Sequence, residues 1–71
     1  IKIQSFDNFK ISNFEKVLHS TDLIYDFFII KFDNEYIYYQ VIFNGTPNNF
    51  LKTMIKKDLN FDTQNKIWAL K

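Results

Sequence analysis

The richest apolar stretch of the chain, residues 23–43, is divided by one polar pair, and this division constrains the fold more than any other feature. Aromatic and β-branched side chains dominate LIYDFFIIKF at residues 23–32 and again EYIYYQVIF at residues 35–43. Between them, Asp33-Asn34 is a pair that tolerates positive φ, as a two-residue hairpin turn requires. The sequence therefore predicts a long antiparallel hairpin.

The segment before the hairpin indicates a strand followed by a short helix. Over residues 1–6, isoleucines alternate with polar side chains, which is typical of a half-buried strand. Ser12 and Glu15 have the spacing of a capping box, which closes the first turn of a helix. We therefore expect a helix from Ser12 to about His19 or Ser20. Its apolar face consists of Phe14, Val17 and Leu18.

The segment after the hairpin predicts a second helix and a last strand. Thr46-Pro47 supplies a capping hydroxyl and a first-turn proline. The apolar stripe that follows consists of Phe50, Leu51, Met54, Ile55 and Leu59. FDTQN at residues 61–65 is polar enough for a connection, and KIWAL at residues 66–70 is predicted to be a short strand that carries the only Trp.

These elements follow the order β-α-β-β-α-β. Right-handed crossovers pack both helices of such a chain against one face of its sheet. The order predicts an α+β two-layer sandwich of the ferredoxin-like type, with a four-stranded antiparallel sheet and two helices on one face. We expect one small domain over residues 1–71 and, because the sequence starts with Ile1 instead of Met, a module or fragment of a longer protein. The predicted core is Ile3, Phe14, Val17, Leu18, Phe28, Ile30, Val41, Phe43, Leu51, Met54 and Ile55.

The face of the sheet without helices is predicted to be unusually apolar. If Asp33-Asn34 forms the turn, Ile30 pairs with Ile37 and Phe28 with Tyr39 on the helix side. The opposite face then carries Tyr25, Phe27, Ile29, Tyr36, Tyr38 and Ile42. The uncovered face of an antiparallel sheet is normally polar, and large exposed apolar patches mark binding surfaces. These six residues are therefore the candidate interface.

Three kinds of partner suit such a face. A second copy or a neighbouring domain would bury it as a second core layer. RNA-recognition motifs share this topology and stack bases on aromatics, but EYIYYQVIF lacks their basic residue and glycine. The net charge of +1 also gives little counterion release, so no nucleic acid is expected. We expect a protein-interaction or assembly module, with a small-ligand or single-stranded RNA-binding domain on the same face as the alternative.

The composition argues against most catalytic and metal chemistry. The chain has no Cys and one His, so the usual Cys/His zinc sites cannot form. It has no Arg, which acylphosphatases use to hold phosphate, and no CxxC of the heavy-metal-associated domains. No apolar run approaches the length of a membrane span. We therefore expect no enzyme, no cofactor and no membrane insertion.

The closing half of the chain resembles a known kind of module. The strand YQVIFNG, the helix FLKTMI and the closing WAL, between Tyr39 and Leu70, are similar to the last part of ferredoxin-like modules in uncharacterised bacterial envelope-associated proteins. The resemblance implies a bacterial source and a non-catalytic module. It implies no functional residues, because those modules have no established site.

Overall fold

A computed structural model describes all 71 residues, which form two helices and five strands. The elements are β1 (Lys2–Gln4), α1 (Asn8–His19), β2 (Ile24–Phe32), β3 (Tyr36–Phe43), α2 (Pro47–Ile55), β4 (Phe61–Asp62) and β5 (Ala69–Leu70). The α+β class predicted from the sequence is confirmed. The hairpin, both helices and the first strand lie where the sequence patterns place them, apart from shifts at their ends.

The sheet is mixed and has the strand order β2-β3-β1-β5-β4. β3 is antiparallel to both of its neighbours, β1 and β2, whereas β1 and β5 are parallel. The predicted four-stranded antiparallel sheet is therefore wrong. Residues 61–62, which were expected to be part of a connection, form a strand antiparallel to β5, and β5 lies between β4 and β1.

The additional strand has a physical cause in Phe61. Its half-buried ring lies 6.2 Å from that of Phe14 and 5.8 Å from that of Phe50, centroid to centroid. A polar connection would not place an aromatic ring against both helices. After this strand the Asp62 carboxylate accepts a hydrogen bond from the Gln64 amide at 3.1 Å, which starts the turn toward β5.

The helix ends are set by their caps. α1 begins one turn before the predicted Ser12, because Asp7 caps it by accepting a hydrogen bond from the Lys10 amide at 3.0 Å. α2 begins at Pro47 as predicted, and the Thr46 hydroxyl accepts from the Asn49 amide at 3.2 Å. It ends at Ile55, short of the predicted stripe.

The core lies between the helices and one face of the sheet. Its buried side chains are Ile3, Phe14, Leu18, Tyr39, Phe50, Met54, Leu59 and Leu70. Four of the predicted core residues are among them, and Val17, Val41, Phe43 and Leu51 pack against them half-buried. The prediction is wrong for Phe28, Ile30 and Ile55, which are exposed.

The exposure of Phe28 and Ile30 follows from the hairpin register. The strands pair as predicted only at Ile24 and Phe43; one-residue β-bulges at Tyr25 and Ile30 then shift β2 against β3. Phe28 pairs with Gln40 instead of Tyr39. Because side chains alternate between faces, a one-residue slip moves every following side chain to the other face. In the middle of β2, between the two bulges, the predicted inner and outer residues are therefore exchanged.

The turn is also displaced by one residue from its predicted place. Asp33 pairs with Tyr36, so Asn34 and Glu35 form the turn. The Asp33 carboxylate accepts hydrogen bonds from the amides of Glu35 and Tyr36, both at 2.8 Å. These bonds favour the ionised carboxylate and hold the pKa of Asp33 below its ordinary value.

Candidate interaction surface

The sheet has one face that no helix covers. Both helices pack on the face that carries Ile3, Tyr39 and Leu70. By strand alternation the opposite face, here called the open face, carries Lys2, Gln4, Asp26, Phe28, Lys31, Tyr36, Tyr38, Gln40 and Ile42. Among these, Phe28 and Ile42 are exposed apolar side chains.

Two tyrosines and two lysines occupy the middle of the open face. The rings of Tyr36 and Tyr38 lie 6.2 Å apart with an interplanar angle of 58°. The Lys2 ammonium is 4.4 Å from the Tyr36 ring centroid, and the Lys31 ammonium is 4.5 Å from that of Tyr38. Each pair has the geometry of a cation–π contact. Both tyrosines are half-buried. The centre of the open face therefore consists of aromatic rings with positively charged ammonium groups over them.

The six candidate interface residues do not form one surface. Tyr36, Tyr38 and Ile42 lie together on the open face. Tyr25 lies in the first bulge and is strongly exposed. Phe27 and Ile29 lie on the helix side, opposite Val41 and Tyr39. Phe28 takes the place on the open face that the predicted register gives to Phe27.

Phe27 belongs to the helix layer. Its ring meets His19 of α1 edge to face at a centroid distance of 5.0 Å, and it lies 6.4 Å from the ring of Tyr39. The single histidine therefore packs against an aromatic ring. Ile29, the next residue of β2 on the same side, is 48% exposed, so the helix layer does not extend over this part of β2.

Sequence reasoning missed Phe28 as a residue of the open face and the large number of apolar side chains that β2 exposes. β2 is the outermost strand of the sheet, and seven of its nine residues are exposed. Its exposed large apolar side chains are Tyr25, Phe28, Ile29, Ile30 and Phe32. A composition with so few charges is unusual for an edge strand, which proteins normally protect with charges or proline. The composition of β2 is instead that of a strand covered on both sides, so no signal in the sequence indicates that these side chains are exposed.

A hydrogen bond on the helix side of the sheet connects β3 to α1. The Tyr39 hydroxyl donates to the Glu15 carboxylate of α1. Burial, together with this bond to an anion, raises the pKa of Tyr39 well above its ordinary value. The ring also meets Phe14 edge to face at 5.3 Å. Tyr39 therefore ties β3 to α1.

Two concave regions are present, and they differ in character. A cavity of about 470 Å³ lies where β3 meets the start of α2, with Phe43, Phe50, Lys66 and Trp68 in its wall. A depression of about 490 Å³ adjoins the turn and the open face, and its charged lining consists of Lys2, Asp33 and Glu35. No group of three or more His, Cys, Asp or Glu side chains comes together. Neither helix has the length and apolarity needed to cross a bilayer.

No family model, curated protein or solved structure matches this chain. The resemblance of residues 39–70 to bacterial envelope-associated modules therefore stays a prediction.

Proposed function

We propose that this chain is a non-catalytic protein-interaction or assembly module, and that the open face together with the adjoining edge of β2 is its binding surface. The observation that supports this proposal is the exposure of β2. Apolar side chains on both sides of this strand are in water, among them Phe28 and Ile30, which are 44% and 55% exposed. Such a surface gains free energy when a partner removes it from water.

The gain is of the right size for association. Complete burial of one Phe or Ile side chain contributes about 1.5–3 kcal/mol. Several half-exposed side chains on one strand can therefore offset an association cost of roughly 4–15 kcal/mol. A second copy or a neighbouring domain of the same protein is the partner that this proposal favours.

The charges around the open face favour a protein over a nucleic acid. Lys2 and Lys31 stand over the two tyrosines, but Asp26 is on the same face and Asp33 and Glu35 adjoin it. With a net charge of +1, few counterions would be released from a phosphate backbone. A protein partner with a mixed rim of charges is the better match.

The test compares charged substitutions on and off the surface. Ile42→Glu and Phe28→Lys alter the open face, whereas Ile55→Glu alters an exposed apolar residue of α2 and serves as the control. We expect Phe28→Lys to abolish self-association in sedimentation, and both Phe28→Lys and Ile42→Glu, but not Ile55→Glu, to raise solubility. The proposal fails if wild type is monomeric at every concentration and all three variants match it in solubility and stability.

The second candidate function is binding of a small apolar ligand in the cavity beside Trp68. Its volume of about 470 Å³ lies in the range of ligand pockets, and Phe43 and Phe50 supply an aromatic wall. Trp68 is the only tryptophan, so its fluorescence reports on this cavity alone. Saturable energy transfer from Trp68 to anilinonaphthalene sulfonate, lost in Phe43→Lys but kept in Ile42→Glu, would support it.

A further inference from the structure

We propose that the partner is a second copy of this chain, joined by antiparallel pairing of the two β2 strands with Phe28 of each copy at the two-fold axis. This inference rests on the proposed function and names its partner. The two sheets would become one sheet that is continuous across both copies.

The backbone of β2 offers the hydrogen-bonding groups that such pairing needs. The Tyr39 amide donates to Ile1 at 2.7 Å, so the backbone of Tyr39 points toward β1 and that of Gln40 toward β2. Phe28 pairs with Gln40 and uses its own amide and carbonyl there. The amides and carbonyls of Phe27 and Ile29 must then point outward, away from the sheet.

The length of β2 selects one register. The strand runs from Ile24 to Phe32, so its central residue is Phe28. Full overlap with a second, antiparallel copy places Phe28 opposite the partner's Phe28. Phe27 then lies opposite the partner's Ile29, and both are residues whose backbone groups point outward. The register that pairs the most residues is therefore also one in which the outward groups of Phe27 and Ile29 can form hydrogen bonds to those of the partner.

The two bulges fit this register. The extra residues are Tyr25, three residues before Phe28, and Ile30, two residues after it. In the paired arrangement the regular stretch from Phe27 to Ile29 meets itself, and Ile30 comes opposite the partner's Asp26, next to the partner's Tyr25. The bulges of the two copies therefore lie one residue apart, and because bulges increase local twist, both strands are twisted in the same places to within one residue.

The charges of β2 are complementary in the same register. Asp26 comes opposite the partner's Ile30, next to the partner's Lys31, and the two-fold axis repeats this contact. In the single chain Asp26 accepts a hydrogen bond from the Phe27 amide at 2.8 Å, and Lys31 lies over Tyr38. Pairing transfers the Phe27 amide to the partner's Ile29 carbonyl and releases Asp26 for the partner's Lys31.

The first test is a disulfide at the two-fold axis. The chain has no Cys, so Phe28→Cys carries one thiol. Residues at this position form a non-hydrogen-bonded pair with Cα atoms about 4.5 Å apart, within reach of a disulfide. Phe32→Cys is the matched control on the same strand, since its copies would be about 27 Å apart. In a glutathione buffer we expect cross-linking of Phe28→Cys to be roughly tenfold faster than that of Phe32→Cys.

The second test exchanges the charges. Asp26→Lys and Lys31→Asp each place like charges side by side and should weaken the dimer roughly three- to tenfold in sedimentation equilibrium. The double variant restores opposite charges and should recover the wild-type affinity. If Asp26 instead only protects the edge, Asp26→Ala would strengthen association, and the proposed charge contact would be overturned.

The outcomes separate this inference from the proposed function. Association of the wild type with equal cross-linking of the two Cys variants would overturn β2 pairing but leave the interaction module standing. A wild type that is monomeric at all concentrations, yet less soluble than Phe28→Lys and Ile42→Glu, would overturn the second copy as partner and leave the surface for a different protein.

Discussion

The Tyr39 hydroxyl donates a hydrogen bond to the Glu15 carboxylate and so ties the central hairpin strand to the first helix. Tyr39 is also buried among the core side chains, although its strand neighbour Gln40 is exposed. Helix position and sheet register are therefore coupled through one polar contact.

Removal of this hydroxyl should destabilise the domain. A hydrogen bond to a charged group contributes about 1.5–3 kcal/mol, so Tyr39→Phe should lower the free energy of unfolding by roughly the same amount in urea titrations. Tyr25→Phe, at an exposed tyrosine, is the control and should change it by less than about 0.5 kcal/mol. Equal stability of the two variants would show that the bond contributes nothing.

The same contact predicts a loss of stability in alkali. The pKa of Tyr39 is raised in the folded chain above its ordinary value of 10.0, so the unfolded chain releases this proton at lower pH than the folded chain does. The stabilisation is complete below pH 10.0 and declines as pH rises toward the folded pKa. Thermal melts between pH 8 and 11, monitored by circular dichroism, should show a smaller alkaline decline for Tyr39→Phe than for wild type.

The end of α2 depends on a left-handed residue. Asp58 has a φ of +63°, which turns the chain back toward α2, so that the Leu59 amide donates to the Met54 carbonyl at 2.9 Å. Only glycine adopts this conformation without cost. Asp58→Gly should stabilise the domain by about 0.5–1 kcal/mol, and Asp58→Val should destabilise it by about 1–2 kcal/mol, in urea titrations. Similar stabilities for the Gly and Val variants would contradict the assigned backbone.

The sequence predicts the elements of this fold better than their pairing. Capping at Thr46 and the apolar stripes of the helices are local signals, and they indicate both helices. The hairpin is also local, since its two apolar runs adjoin the turn. The faces of β2 are not local. They depend on two bulges, and no residue of IYDFFIIKF marks where the extra residues lie.

Phe28 and Phe27 show the consequence for the candidate site. Adjacent phenylalanines are indistinguishable in composition, so only the register decides which one enters the helix layer. The prediction for Tyr36 and Tyr38 did not depend on it, because β3 has no bulge and keeps its alternation. The short β4 was missed for a different reason, since two residues are too few for a periodic pattern.

Truncations should distinguish the observed core from the predicted one. Met54 is fully buried, and Met54→Ala should lower the free energy of unfolding by about 2–5 kcal/mol. Phe28→Ala should cost less than about 1 kcal/mol at low protein concentration, because this residue is 44% exposed on a face that no helix covers. Urea titrations at two concentrations separate this cost from any loss of association. A large, concentration-independent cost for Phe28→Ala would restore the register predicted from the sequence.

Binding of single-stranded RNA is the sharpest test of whether the partner is a protein or a nucleic acid, because the open face has a tyrosine pair with lysines over it. Tyr36 and Tyr38 present aromatic surface on which bases could stack, at roughly 1–3 kcal/mol per base. Lys2 and Lys31 cover those rings, however, and Asp26, Asp33 and Glu35 lie on the same side or at its rim. With so little net positive charge, we expect no binding tighter than about 100 μM to single-stranded RNA at 150 mM salt.

Fluorescence anisotropy with a labelled oligonucleotide measures this affinity, with Tyr38→Ala as the variant and Tyr25→Ala as its control. Micromolar affinity that is lost in Tyr38→Ala alone would make the open face a nucleic-acid surface, because only stacking on the covered pair could produce that selectivity.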